Sequence, residues 1–125
     1  MAGEKNFYQV VEEICARDSR YKADSYEFVM DALHFTQRTL NRKGHVSGKE
    51  LLSGIRECAL KQYGPMARTV LAYWGITRTE DFGNIVFNMI AEKLFSKTDS
   101  DSLADFKDVY DFEQALRHEV KDIAL

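Results

Sequence analysis

Residues 45–54 read His45-Val46-Ser47-Gly48-Lys49-Glu50-Leu51-Leu52-Ser53-Gly54. Ser47 and Glu50 have the spacing of a capping box, in which each side chain accepts a hydrogen bond from the other residue's backbone amide. Val46 precedes the cap and can pack on the first helical turn as a hydrophobic staple. The stretch predicts the start of a helix over 47–63.

Apolar residues at helical spacing predict further helices on both sides of this one. They run from Phe7 to about Asp18, from Asp24 to a stop at Gly44, over 65–74, over 79–95 and across Phe112–Leu116. Leu40 belongs to the apolar stripe of the second helix. The segment 65–74 is apolar almost all round, apart from Arg68, and is therefore expected to be buried.

The pattern predicts a mainly α, compact domain of five to six helices, with 1–125 as a single unit. After a polar turn at 97–102, apolar residues alternate loosely over 106–112, which also fits a β-hairpin from Leu94 to Phe112 with Gly44-His45-Val46 as a third strand. The chain would then divide into N-terminal helices (1–43), a winged helix-like core (44–112) with its wing at 96–110, and a C-terminal helix or tail (113–125). Both the purely helical and the winged helix-like versions stay open.

Gly54 and Gly83 fall inside predicted helices, where each costs about 1 kcal/mol relative to alanine. That cost predicts a close approach by another backbone or ring at each position. Trp74 is the candidate neighbour.

Charge is divided along the chain. Residues 38–78 contain eight Lys or Arg and two Glu, a local charge of +6, whereas residues 79–125 contain five Lys or Arg and eleven Asp or Glu, a local charge of −6. Such a division points to binding, either between the halves or to another molecule.

Composition narrows the class of protein. No apolar run is long enough to span a membrane, and the first residues lack the pattern of a secretory signal. Cys15 and Cys58 are too few for a disulfide framework. A cytoplasmic protein without membrane contact is therefore expected.

No catalytic, cofactor-binding or metal-ligating constellation emerges from the sequence. His34, His45 and His118 are scattered, and no paired cysteine or histidine spacing for a metal occurs. The glycines are isolated, without a phosphate-binding fingerprint. An enzyme is therefore not predicted, although a site built on His45 with an acidic partner such as Asp81 stays open.

Three strings give the chain a family resemblance. They are His45-Val46-Ser47-Gly48-Lys49-Glu50-Leu51-Leu52-Ser53-Gly54-Ile55-Arg56, Trp74-Gly75-Ile76 and Asp81-Phe82-Gly83-Asn84-Ile85-Val86-Phe87-Asn88. In these motifs the chain resembles a small bacterial protein family to which no activity is assigned. The resemblance implies a free-standing bacterial cytosolic domain and transfers no catalytic residue.

The leading hypothesis is a non-enzymatic domain that binds another protein, or its own copy, through a basic surface within residues 38–78. The side chains predicted to form that surface are Arg42, Lys43, His45, Lys49, Arg56 and Leu60. The alternative is a nucleic-acid-binding, winged helix-like domain. In that geometry the helix 79–95 would read bases through Asn84 and Asn88, but carboxylates beside them disfavour it.

Overall fold

The computed structural model describes residues 4–96 and 101–117. Its helices are α1 (Phe7–Arg17), α2 (Ala23–Thr39), α3 (Gly48–Tyr63), α4 (Ala67–Tyr73), α5 (Thr79–Ala91) and the one-turn α6 (Phe112–Ala115). Two 3₁₀ turns, Gly64–Met66 and Leu103–Phe106, complete the regular structure of these ranges. The prediction of a mainly helical fold is confirmed.

α2 and α3 form a closely packed antiparallel pair. The predicted capping box starts α3: Ser47 Oγ accepts a hydrogen bond from the Glu50 amide at 3.1 Å, and Glu50 Oε1 accepts one from the Ser47 amide at 2.8 Å. Further along, a Cβ atom added to Gly54 would lie 1.8 Å from Thr36 Oγ1. The predicted close approach at Gly54 is confirmed, but the neighbour is Thr36 of α2 and not Trp74.

α5 packs across this pair with its apolar side. Phe82, Ile85 and Met89 are fully buried and belong to one hydrophobic cluster with residues of α1, α2 and α3. The helix ends at Ala91, earlier than the predicted residue 95. Lys93 adopts a left-handed φ of 63°, and the Leu94 amide donates back to the Met89 carbonyl at 2.8 Å, which closes the helix.

The acidic segment 101–117 folds back over α3 and α5. Phe106 is buried, and its carbonyl accepts a 2.5 Å hydrogen bond from Thr79 Oγ1 at the start of α5. Tyr110 Oη donates to the Leu52 carbonyl at 2.8 Å, and burial raises the pKa of Tyr110. Backbone and aromatic groups, more than carboxylates, therefore attach this segment to the helices.

The predicted hairpin and wing are not seen. Residues 101–112 contain a 3₁₀ turn and no strand, residues 44–46 are irregular, and residues 97–100 lie outside the described ranges. Ser102 and Asp105 form a second capping box, with 3.1 and 3.0 Å hydrogen bonds to backbone amides. Such local side-chain-to-backbone bonds favour turns over a strand ladder.

The expectation that 65–74 is buried all round was wrong. Ala67 and Leu71 face the core, but Met66 is 54% exposed and Tyr73 is 72% exposed. α4 has only two turns, so one side packs on α3 and the other is left in solvent. Trp74, which follows it, is buried against Phe28 at a ring distance of 5.5 Å.

Candidate functional site

The C-terminal end of α2 brings cations together because of how the helix stops. The Arg42 amide donates to the Gln37 carbonyl at 2.9 Å, and the Asn41 amide donates to the Arg38 carbonyl at 3.1 Å. Asn41 has a left-handed φ of 53°. This is a Schellman motif, and it turns the chain so that Arg42 and Lys43 line one shallow depression with Arg38.

The resulting surface, which we name the cationic end, consists of Arg38, Leu40, Arg42 and Lys43. All four are exposed. Arg42 Nη1 lies 2.7 Å from Glu50 Oε1, whereas Arg38 and Lys43 form no ion pair within residues 4–96 and 101–117. The cationic end thus keeps two unpaired positive charges.

The Arg42–Glu50 pair joins the end of α2 to the start of α3. The hydrogen bond from Arg42, together with the one from the Ser47 amide, lowers the pKa of Glu50 from 4.5 to about 2. Glu50 therefore has a double role, as helix cap and as partner of Arg42. The pair fixes Arg42 beside the first turn of α3.

Leu40 belongs to this surface, although its spacing predicts it on the apolar stripe of the second helix. It caps α2 and is 38% exposed. Gly44 was the predicted stop, whereas the helix ends at Thr39. Asparagine tolerates the left-handed conformation, so Asn41 was the available signal for an earlier end.

The other predicted site residues are spread along the molecule. His45 Nε2 lies 3.4 Å from Asp101 Oδ1, and Lys49 is exposed in the first turn of α3. Arg56 lies two turns further on, where its Nε donates to the Ala115 carbonyl at 2.7 Å. Leu60, expected on the polar face, is half-buried against the core. Arg42, Lys43, His45 and Lys49 are thus at one end of α3, and Arg56 and Leu60 are not.

A cavity of about 320 Å³ adjoins the cationic end, and Gln37 and Lys43 line both. Its walls come from α2, the start of α3, the end of α5 and the following loop. The apolar walls include Leu33, Leu51, Val86, Ile90, Leu94 and Phe95. Lys43, His45, Asp101 and Asp105 also line it, and we name these four residues its rim.

The polar face of α5 is turned towards the α1–α2 connection. Asn84 Nδ2 donates to Tyr21 Oη at 2.9 Å, and Asn88 Nδ2 donates to Asp18 at 3.0 Å and to Tyr26 Oη at 3.1 Å. These amides are therefore engaged inside the protein. The arrangement does not offer them to the bases of a nucleic acid.

A buried hydrogen bond anchors the start of α5 to the same connection. Tyr21 Oη donates to Asp81 Oδ1 at 2.7 Å, and the Thr77 amide donates to Asp81 Oδ2 at 2.9 Å. Burial raises the pKa of Tyr21 to about 12, and the bond to Asp81 acts in the same direction. Asp81 thus contacts Tyr21 and the helix start, and His45 pairs with Asp101 instead.

Residues 4–96 and 101–117 contain no group of three His, Cys, Asp or Glu that could hold a metal ion. In the same ranges, no helix has both the length and the apolar character needed to cross a membrane. A scan against protein-family models and searches of curated proteins and of solved structures give no match.

Proposed function

We propose that this protein is a non-enzymatic binding domain that recognises an acidic segment of another protein through its cationic end. The observation that carries the proposal is the depression in which Arg38, Arg42 and Lys43 meet, with the exposed apolar Leu40 next to it in the chain. Protein interfaces combine apolar contact with charge complementarity. Of the basic segment 38–78, this end supports the proposal best.

The charge distribution supports the same surface. Of the five ion pairs among the described residues, only His45–Asp101 joins the basic segment 38–78 to the acidic part of the chain. The carboxylates of 101–117 therefore leave Arg38 and Lys43 unpaired. An acidic partner would meet two cations that need no internal ion pair to be broken.

The test compares two charge reversals of equal size. Arg38→Glu with Lys43→Glu alters the cationic end, and Lys61→Glu with Arg68→Glu is the matched control, on exposed residues towards the opposite end of α3 and on α4. Each immobilised variant is used to capture proteins from a native bacterial lysate. We expect a partner that the wild type and the control both capture and that the cationic-end variant loses by about tenfold or more.

Equal capture by both variants would contradict the proposal, as would a wild type that captures nothing. Light scattering after size exclusion identifies the case in which the partner is a second copy. The protein would then be a dimer that the cationic-end variant returns to monomer.

Nucleic-acid binding is the second candidate, because the same unpaired cations could contact phosphates. It no longer includes base reading by Asn84 and Asn88, so sequence-independent binding is expected. Fluorescence anisotropy with labelled duplex DNA and single-stranded RNA tests it. Affinity should fall steeply with salt, with a slope of about 0.9 per phosphate neutralised on duplex DNA, and should disappear in the Arg38→Glu, Lys43→Glu variant.

A further inference from the structure

The cavity beside the cationic end has the features of a small-molecule site. Apolar side chains from α2, α3 and α5 form its walls, and its charged groups are gathered on the rim. Binding sites for small molecules are concave and mostly apolar, with a few polar groups that fix orientation. The volume of about 320 Å³ accommodates roughly ten non-hydrogen atoms at about 30 Å³ each, which is the size of octanoate.

The rim indicates which charge such a ligand carries. Asp105 Oδ2 accepts a hydrogen bond from the Ser102 amide at 3.0 Å, and Asp101 Oδ1 lies 3.4 Å from His45 Nε2. Gln37 Nε2 donates to the Gly44 carbonyl at 3.0 Å. Lys43 makes no hydrogen bond or ion pair to the residues described in 4–96 and 101–117. Lys43 is thus the charged side chain of the rim that has no hydrogen bond or ion pair to the described residues, and it is a cation.

We propose that the cavity binds an apolar monocarboxylate, with its chain or ring against Leu33, Ile90 and Leu94 and its carboxylate at Lys43. Asp105 accepts the Ser102 amide and Asp101 lies beside His45, whereas Lys43 has no such contact with the described residues, so a carboxylate would meet the side chain of the rim that is least engaged. Arg38, which shares the adjoining depression with Lys43, adds positive potential on the same side. The inference does not depend on the proposed protein partner, although Lys43 takes part in both.

Calorimetric titration of the wild-type protein with octanoate, octan-1-ol and octylammonium tests the chemistry of the ligand. Octanoate should bind most tightly, and shortening it by two methylenes should weaken binding on the order of tenfold. Lys43 is exposed. Lys43→Gln should weaken the binding of octanoate by about tenfold and leave the affinity for octan-1-ol unchanged. Octylammonium that binds as tightly as octanoate, or octanoate binding unaffected by Lys43→Gln, would overturn the proposal.

A cavity-filling pair tests the location. Ile90→Trp places a large ring in the cavity, and Val70→Trp enlarges another half-buried, β-branched helix residue that does not line it. Ile90→Trp should abolish octanoate binding while Val70→Trp retains it, and thermal melting verifies that both are folded. Octanoate binding retained by a folded Ile90→Trp would place the ligand elsewhere. Because Ile90→Trp leaves the cationic end intact, it should still capture a protein partner. The experiments can therefore contradict the ligand site and the protein-binding surface independently.

Discussion

At the scale of single residues, the contact between Gly54 and Thr36 sets how closely α2 and α3 pack. Thr36 is 3% exposed, and its Oγ1 donates to the Ala32 carbonyl at 2.7 Å, so it lies where a Gly54 Cβ would be. An unobstructed glycine-to-alanine change in a helix would stabilise by about 1 kcal/mol. At Gly54, steric overlap with Thr36 should make the change destabilising instead.

We expect Gly54→Ala to lower the free energy of unfolding by about 1–3 kcal/mol, the usual cost of overpacking. Urea unfolding measures it. In a Thr36→Ala background, which removes Oγ1, the same change should cost at least about 1 kcal/mol less, the coupling expected of residues in contact. Gly44→Ala is the control, because a Cβ there meets nothing within 4 Å. A stabilised Gly54→Ala protein would show that the helices are not in van der Waals contact at this point.

Local signals at this scale predicted some features and missed others. Ser47 and Glu50 could be recognised because a capping box depends only on residues three apart. Asp24 and Glu27 have the same three-residue spacing, which predicts a cap at Asp24, but the N-cap of α2 is Lys22, without a side-chain hydrogen bond. The energetic cost of a glycine inside a helix predicted a close approach at Gly54. It could not identify Thr36 as the neighbour, because that depends on how the two helices align.

At the scale of elements, Thr79 connects α5 to the segment 101–117. Its Oγ1 donates to the Phe106 carbonyl at 2.5 Å and accepts from the Val109 amide at 3.2 Å. Thr79 is 1% exposed, so water does not replace either bond. One hydroxyl therefore satisfies two backbone groups of a segment that has no strand to pair with.

Thr79→Val keeps the shape of the side chain and removes both hydrogen bonds. We expect a loss of about 1–3 kcal/mol of unfolding free energy, because two backbone groups lose their partner. Hydrogen exchange should accelerate at the Val109 amide before it does in α2 or α3. Thr69→Val, at an exposed position of α4, should change stability by less than about 0.5 kcal/mol. Equal protection of Val109 in the variant would mean that this hydroxyl does not hold the segment.

Prediction of helices succeeded where apolar residues recur at a clear helical period and failed where that period is weak. α5 follows from its repeated apolar positions, whereas the loose alternation of residues 106–112 left a hairpin open that the structure does not contain. The polar residues decide that segment: Ser102 and Asp111 each accept a hydrogen bond from an amide two residues on. α4 has only two turns, because the 3₁₀ turn with Pro65 precedes it and Gly75, at a left-handed φ of 94°, ends it. Such a short helix buries one side, and its apolar composition alone did not show that.

At the scale of the whole molecule, the charge division of the sequence does not become two facing surfaces. The cations of 38–78 are distributed from the cationic end along α3 and α4 to Arg78 at the start of α5. Only those near the end of α2 meet one another, because the Schellman motif there reverses the chain. The sequence could show that the cations exist, but not which of them gather, since that depends on where α2 stops.

Acid stability should report the link between α2 and α3. The folded pKa of Glu50 is lower than its ordinary value of 4.5 and lies near 2. Its contribution is therefore complete above pH 4.5 and is lost as the pH falls towards 2. Thermal unfolding followed by circular dichroism should give Glu50→Gln a lower melting temperature than the wild type at pH 5.5. The difference between the two melting temperatures should shrink towards pH 2.

Glu57→Gln is the control for that series. Glu57 is exposed on α3 and forms no ion pair in the described parts of the chain. Its melting curve should follow the wild type over the whole pH range. A Glu50→Gln difference that stays constant from pH 5.5 to 2 would show that the carboxylate's charge is not what stabilises the pair.

The ring of Phe106 lies against two glycines from different helices. A Cβ at Gly83 would be 2.9 Å from the Phe106 Cβ, and a Cβ at Gly48 would be 3.1 Å from its ring. In a lineage of descendants, neither glycine can acquire a side chain cheaply while phenylalanine stands at 106. A smaller residue there would remove the ring contacts, but its own Cβ would still lie 2.9 Å from a Gly83 Cβ, and the Asp105 Cβ would still lie 3.1 Å from a Gly48 Cβ. The order of mutations is thereby constrained: loss of the ring at 106 would ease substitution at 48, whereas position 83 stays a glycine for as long as the backbone at 106 keeps its place.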